Sequence, residues 1–223
     1  MFIVIEGLDG AGKSTQVSLI TEELKNQGLE CEYLHFPRFS APIYGELISK
    51  FLRGDLGSLD DVNPYLVALI YAGDRKDASS QIEKWLEEGK CVIIDRYVYS
   101  NIAYQCAKVK DANKRKELYD WILNLEYEFN KIVKPDTTIF LDVPFKFTEK
   151  KLTEERTGED RDYLQGKKDI HESSLDFQQF VREMYLDASA KDENLKVINC
   201  SDDDGGMLPP NEIFMKIKSA VSF

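Results

Sequence analysis

Residues 2–16 read FIVIEGLDGAGKSTQ. Four apolar residues meet a carboxylate, then a loop with three glycines, then Lys-Ser-Thr at the head of a helical pattern. Within it, Gly7-Leu8-Asp9-Gly10-Ala11-Gly12-Lys13-Ser14 fits GxxxxGK[ST]. This unit demands a strand before it and a helix after it, and the flanking pattern supplies both. The glycines let backbone N–H groups turn inward around phosphates, and the helix N-terminus adds partial positive charge. Lys13 would bridge the β- and γ-phosphates of a nucleoside triphosphate, and Ser14 would give an oxygen to Mg²⁺.

The rest of the chain suits that start. Residues 2–6, 31–36, 91–95, 137–143 and 195–200 are short, near-continuous apolar runs. They read as five strands of a parallel sheet covered on both faces. Helical periods lie between them. Val17, Ile20 and Leu24 share one face, ahead of a stop at Gly28. Ile43, Leu47, Ile48 and Phe51 mark a second helix, and Phe177, Val181, Met184 and Ala188 a later one. A long helix has Pro64 near its start and Gly89 at its end. The expectation is one α/β domain over residues 1–223, a P-loop NTPase fold with a five-stranded parallel sheet and helices on both faces. The charged stretch around residues 153–170 holds Gly158 and Gly166 and no apolar period. It reads as a surface loop, a mobile lid.

Charge and cysteine content narrow the partners. The formal net charge is −11, the wrong sign for nucleic acid or an anionic membrane, so phosphates must be held by a few local cations. Cys31, Cys91, Cys106 and Cys200 form no CxxC pair, and His35 and His171 form no zinc-binding spacing. Free thiols in a reducing compartment follow. No leader or apolar span is visible, so the expected location is the cytoplasm.

A triphosphate loop serves a switch or a transferase. A guanine switch needs NKxD, and Asn130-Lys131-Ile132-Val133 lacks the Asp. A kinase needs an acceptor site, and candidates exist. Asp95 ends the apolar run CVIID, where open α/β sheets bind ligands, and can orient Mg²⁺ through its waters. Arg96 follows it and can clamp a phosphate with two prongs. Arg38 lies just beyond the second strand. Tyr71 and Arg75, four residues apart, share a helix face, where a ring can stack on a base and a guanidinium donate to a carbonyl.

Together, EGLDGAGKST, FPR, YAGDR, DRYVYSNIAY and TIFLDVP resemble the thymidylate kinase family in order and spacing. The resemblance implies transfer of the ATP γ-phosphoryl group to dTMP. Gly7, Leu8, Asp9, Gly10, Ala11, Gly12, Lys13, Ser14 and Thr15 would hold ATP. Asp9 would also accept from the acceptor's 3′-hydroxyl. Arg38 and Arg96 would bind the dTMP phosphate, with Phe36 and Ser100 in the same site. Asp95 and Ser14 would serve Mg²⁺, partly through water. Tyr71, where the family usually has Phe, would stack on thymine. Arg75 would donate to O4, Asn101 would bond the base, and Tyr104 would pack against the 2′ carbon. Since the loop carries no arginine, Arg156 and Arg161 of the lid are the expected catalytic cations beside Lys13, Asp95 and Arg96. A homodimer is implied as well. The alternatives are another pyrimidine nucleotide kinase and a nucleotide switch.

Overall fold

The five apolar runs form one sheet in which the first, third and fourth are almost wholly buried, the second and fifth lie at the edges with part of each exposed, and the helices between them cover the two faces. A computed structural model describes residues 1–153, 159–167, 169–171 and 174–221, with backbone alone over 150–153 and 159–161. Strands β1 (Phe2–Gly7), β2 (Cys31–His35), β3 (Cys91–Asp95), β4 (Thr137–Asp142) and β5 (Leu195–Asn199) pair in parallel in the order β2-β3-β1-β4-β5. Strand alternation splits the core. Phe2, Val4, Val92, Ile94 and Phe140 face one cluster, and Ile3, Ile5, Ile93, Ile139 and Leu141 the other.

Helix α1 (Lys13–Asn26) and α8 (Pro210–Ala220) cover the second face, with Val17, Ile20, Leu24, Ile213 and Ile217 inward. The first face is covered by α3 (Pro64–Glu87), α4 (Val98–Cys106), α5 (Ala112–Leu123) and α7 (Leu175–Ser189). Helix α3 starts where expected because the Asn63 side chain accepts from Tyr65 N–H and Pro64 lacks a donor to satisfy. A smaller cluster of Ile48, Phe51, Leu52 and Val67 joins α2 (Tyr44–Leu52) to α3.

Three details depart from the sequence reading. Ile43 does not join the buried face of α2; it precedes the helix with φ 65° and is 69% exposed. A π-helical turn, Asn124–Phe129, extends α5, and α6 spans Phe145–Thr153. Part of the stretch read as a surface loop is folded inward. Glu159–Leu164 forms a 3₁₀ turn, Leu164, Asp169 and His171 are buried, and Ile170 N–H donates to Leu52 C=O at 3.0 Å. Among the described residues, no helix is long and apolar enough to cross a membrane, and all four cysteines are free.

Candidate active site

A cavity of about 420 Å³ opens at the carboxyl ends of β1, β2 and β3. The switch from β1 toward β3 on one side and β4 on the other leaves a crevice there, where open α/β sheets bind ligands. Gly10 to Ser14, Asp9, Phe36, Tyr71, Arg75, Asp95, Arg96, Ser100, Asn101 and Tyr104 all line it. The sequence therefore brought most of its candidates to one place. Gly7, Leu8 and Thr15 lie in the loop without lining the cavity, and Arg38 does not line it either.

The loop's conformation depends on glycine at defined points. Gly10 and Gly12 have φ of 78° and 81°, values that side chains disfavour. A Cβ on Gly7 would lie 3.1 Å from Ala11 Cβ. Helix α1 starts with neither a side-chain cap nor an acidic residue in its first turn, so its leading N–H groups are left for an anion. Lys13 is buried and donates from Nζ to Leu8 C=O at 3.2 Å. Burial, then nearby Arg96, lower its pKa, while Asp95, Asp9 and Glu6 pull it up.

Asp95 stands in register with His35 on β2 and Ile5 on β1. Its Oδ2 lies 3.4 Å from His35 Nδ1, and its buried Oδ1 has no partner. Burial pushes its pKa up, but Lys13, His35 and Arg96 outweigh that and hold the carboxyl below the usual range. Next in the chain, Arg96 adopts φ 67°, a strained conformation for a side chain of this size. That turn aims its guanidinium into the cavity, donating to Asp9 Oδ1 at 2.8 Å and Ser100 Oγ at 3.2 Å, over the Tyr104 ring. Tyr104 O–H donates to Asp9 Oδ2 at 3.1 Å. Despite burial, the surrounding oxygens hold the Arg96 pKa far above its ordinary value, so the cation is permanent.

Two carboxylates that sequence reasoning missed hold these groups in place. Glu6, fully buried at the end of β1, accepts from Tyr97 N–H (2.9 Å), Ser100 N–H (3.1 Å) and Tyr185 O–H (2.9 Å). It thereby ties the turn carrying Arg96 to the sheet. Glu126, fully buried in the π-helical turn, accepts from Arg75 through Nε and Nη2 and from Asn101 Nδ2 at 3.1 Å. Asn101 Nδ2 also donates to Ala68 C=O at 3.0 Å, and its buried Oδ1 has no partner. The only sequence signal was a Glu among apolar Ile122, Leu123 and Leu125.

Arg38 is turned away. Its Nε and backbone N–H donate to Asp74 at 2.9 Å each, and Nη2 donates to Asp77 at 2.6 Å. The aspartate that binds it directly precedes Arg75 on α3. Arg156 lies outside the described residues, and Arg161 falls in the 3₁₀ turn with its side chain outside them. His35, Gln105 and His171 also line the cavity, unassigned by sequence reasoning.

The arrangement offers an anion cradle, a free buried carboxylate oxygen, a second fixed cation and an amide-and-guanidinium wall. That can hold a triphosphate facing a second phosphate whose bearer has a planar polar ring. Comparison with known proteins agrees. A family model described as thymidylate kinase matches residues 5–204. A probable thymidylate kinase of Thermococcus kodakarensis is 33% identical over 208 residues, 91% of each chain. A thymidylate kinase of Plasmodium falciparum is 31% identical over 198 residues, 87% of this chain and 85% of that one. The solved thymidylate kinase of Candida albicans superposes with a TM-score of 0.75 at 25% identity, covering 98% of this chain and 89% of the other.

Proposed function

This chain belongs to the thymidylate kinase family, and from that premise we propose that it transfers the γ-phosphoryl group of ATP to dTMP, giving ADP and dTDP. The acceptor phosphate oxygen forms the new bond to the γ-phosphorus as the bond to the ADP oxygen breaks. No strong general base is needed, because a phosphate monoester is already an anion near neutral pH. Catalysis then rests on position and charge.

The observation that carries the reading is that two buried basic side chains, Lys13 and Arg96, line one cavity. Lys13 and the amides of Gly7 to Thr15 hold the ATP phosphates. Arg96 takes the acceptor phosphate; Arg38 would join it only by leaving Asp74 and Asp77. Tyr71 stacks on the base, Arg75 donates to O4, Asn101 bonds the base edge, and Tyr104 fills the space beside the 2′ carbon. Phe36 and Ser100 complete the wall. Arg156 and Arg161, which lie outside the described residues or have their side chain outside them, are the cations we assign to the donor side.

Mg²⁺ suits the donor set. Asp95 offers an unpartnered Oδ1, Ser14 lines the same cavity, and among the described residues no three His, Cys, Asp or Glu side chains converge on a metal site. One carboxylate plus phosphates and water is how Mg²⁺ is usually held. When bound it would neutralise charge on the transferring oxygens. Pairing as a homodimer and a cytoplasmic location complete the reading. Leu66 and Leu69 on α3 and Phe129 beside it are exposed apolar groups suited to a second copy.

Replacing Lys13 by Ala tests the assignment. The charge matters more in the transition state than in acceptor binding, so dTMP-dependent ADP release should fall by orders of magnitude with dTMP affinity nearly unchanged. Turnover within a few-fold of wild type would remove the loop from catalysis.

A further inference from the structure

His171 lines the cavity and is 6% exposed, and its Nε2 is buried beside that wall without a hydrogen-bond partner. A phenylalanine there would avoid the roughly 1–3 kcal/mol that an unsatisfied buried polar atom costs. The ring is also held in place. The backbone N–H of His171 donates to Asp169 Oδ1 at 2.8 Å and its backbone C=O accepts from Gln178 Nε2 at 2.8 Å, which fixes the main chain that carries the ring. Tyr104, Phe51 and Phe177 pack around it with ring centroids 4.8, 5.4 and 5.6 Å away. Burial, Lys108 and Arg96 depress its pKa well below the usual value against a pull from Asp9, so the imidazole is neutral. A neutral ring presents a donor or an acceptor without charge. Phosphates have Lys13 and Arg96; this nitrogen fits an uncharged polar group.

Its neighbours identify that group. Tyr104 touches His171 with its ring and Asp9 with its hydroxyl. A ligand group lying between an imidazole N–H and a carboxylate must accept from one and donate to the other. A hydroxyl does both. The dTMP sugar, lacking a 2′ oxygen and phosphorylated at 5′, has one free hydroxyl, at 3′.

We infer that His171 is a specificity-determining residue of the acceptor site: its Nε2–H donates to the 3′-hydroxyl oxygen of dTMP, whose own proton is donated to Asp9. The inference rests on the acceptor reading of this cavity. The test is kcat/KM for dTMP and for its 3′-deoxy analogue in the wild type, His171→Phe and His171→Gln. His171→Phe should lower the dTMP value about tenfold, the worth of one neutral hydrogen bond with its unsatisfied partner, and leave the 3′-deoxy value within about twofold. His171→Gln, which restores an N–H, should return part of the loss on dTMP alone. Equal losses on both substrates would make His171 structural and overturn the inference.

If the variants fold poorly, the wild type still decides. The chain has two histidines, so the ring-nitrogen NMR signals are few. Saturating dTMP should move the His171 Nε2 signal, and the 3′-deoxy analogue should leave it in place. The same shift with both would overturn the inference. Failure of the wild type to turn over dTMP would overturn the acceptor reading and this inference together, whereas turnover with equal losses overturns the inference alone.

Discussion

A buried ion in this protein is fixed by a partner far away in sequence. Arg75 and Glu126 lie on separate elements, both almost fully buried and joined through two guanidinium nitrogens. Removing one partner strands a charge in a low-dielectric site. Glu126→Ala should therefore cost about 3–5 kcal/mol of stability in denaturant unfolding. Arg75→Met with Glu126→Leu should recover most of it, because the pair's desolvation cost disappears with its attraction. The double variant should still bind dTMP weakly, having lost the donor we propose for the base, and dTMP titration separates the two effects. This pair shows the limit of sequence reading at this scale. Arg75 was legible because Tyr71 sits one turn away. Glu126 was not, because only the folded chain places a glutamate beside an arginine 51 positions distant.

Lys108 carries a second residue-scale prediction. Its Nζ is buried with no hydrogen-bond partner, over the Phe51 ring at 4.5 Å. Burial lowers its pKa from 10.5 to about 7, against a pull upward from Asp60. Below pH about 7 both folded and unfolded chains hold the proton, and the folded one bears the full cost of a buried charge. Between about 7 and 10.5 the unfolded chain binds more protons, so this group makes stability rise with pH across that window. Lys108→Met should stabilise the protein on the order of 2–4 kcal/mol at pH 6, with the gain fading by pH 10. Thermal melts of both proteins across that range are the check; a pH-independent difference would mean the ammonium is not penalised.

Among the elements, the strands were the most legible. Each is short with an apolar stretch, and the three inner strands β1, β3 and β4 are almost wholly buried, with β1 and β3 carrying one polar side chain apiece at the end that meets the cavity. Helices α1, α3 and α7 were legible from apolar spacing and stop signals. Helix α5 and its π-helical turn were not, because charged residues dominate α5 and it buries only Leu118 and Ile122. The apolar period that should have included Ile43 breaks there for a steric reason. The chain reverses at Pro42–Ile43, and α2 begins only at Tyr44 so that Gly45 can pack against the preceding loop. A Cβ on Gly45 would lie 2.5 Å from the carbonyl oxygens of Arg38 and Phe39. Backbone must move to accept it. Gly45→Ala should cost about 1–3 kcal/mol and shift the loop that carries Phe36 to Phe39. Because Phe36, Pro37 and Phe39 line the cavity on the side proposed for the acceptor, KM for dTMP should rise more than KM for ATP. Steady-state kinetics on both substrates checks this; equal changes would separate the loop from the acceptor site.

At the scale of the whole molecule, the strand order explains how separate short motifs become one site. Strand β1 brings the phosphate loop, β3 brings Asp95 and Arg96, and α3 and α4 cross the same end with Tyr71, Arg75, Asn101 and Tyr104. The motifs named those residues, but only the fold shows that Arg38 is held by α3 and that Glu6 and Glu126 support the rest. Base choice is the property of the assembled cavity. The thymine methyl is a single carbon, worth about 1–3 kcal/mol, whereas the amino group of cytosine would meet the donor proposed at Arg75 with a donor. The decisive measurement is kcat/KM with ATP and Mg²⁺ for dTMP, dUMP and dCMP side by side. The account predicts dTMP first, dUMP lower by about 10–200-fold, and dCMP lower by about 10⁴-fold or more. A dCMP value equal to that of dUMP, or ADP release that ignores the acceptor, would contradict it.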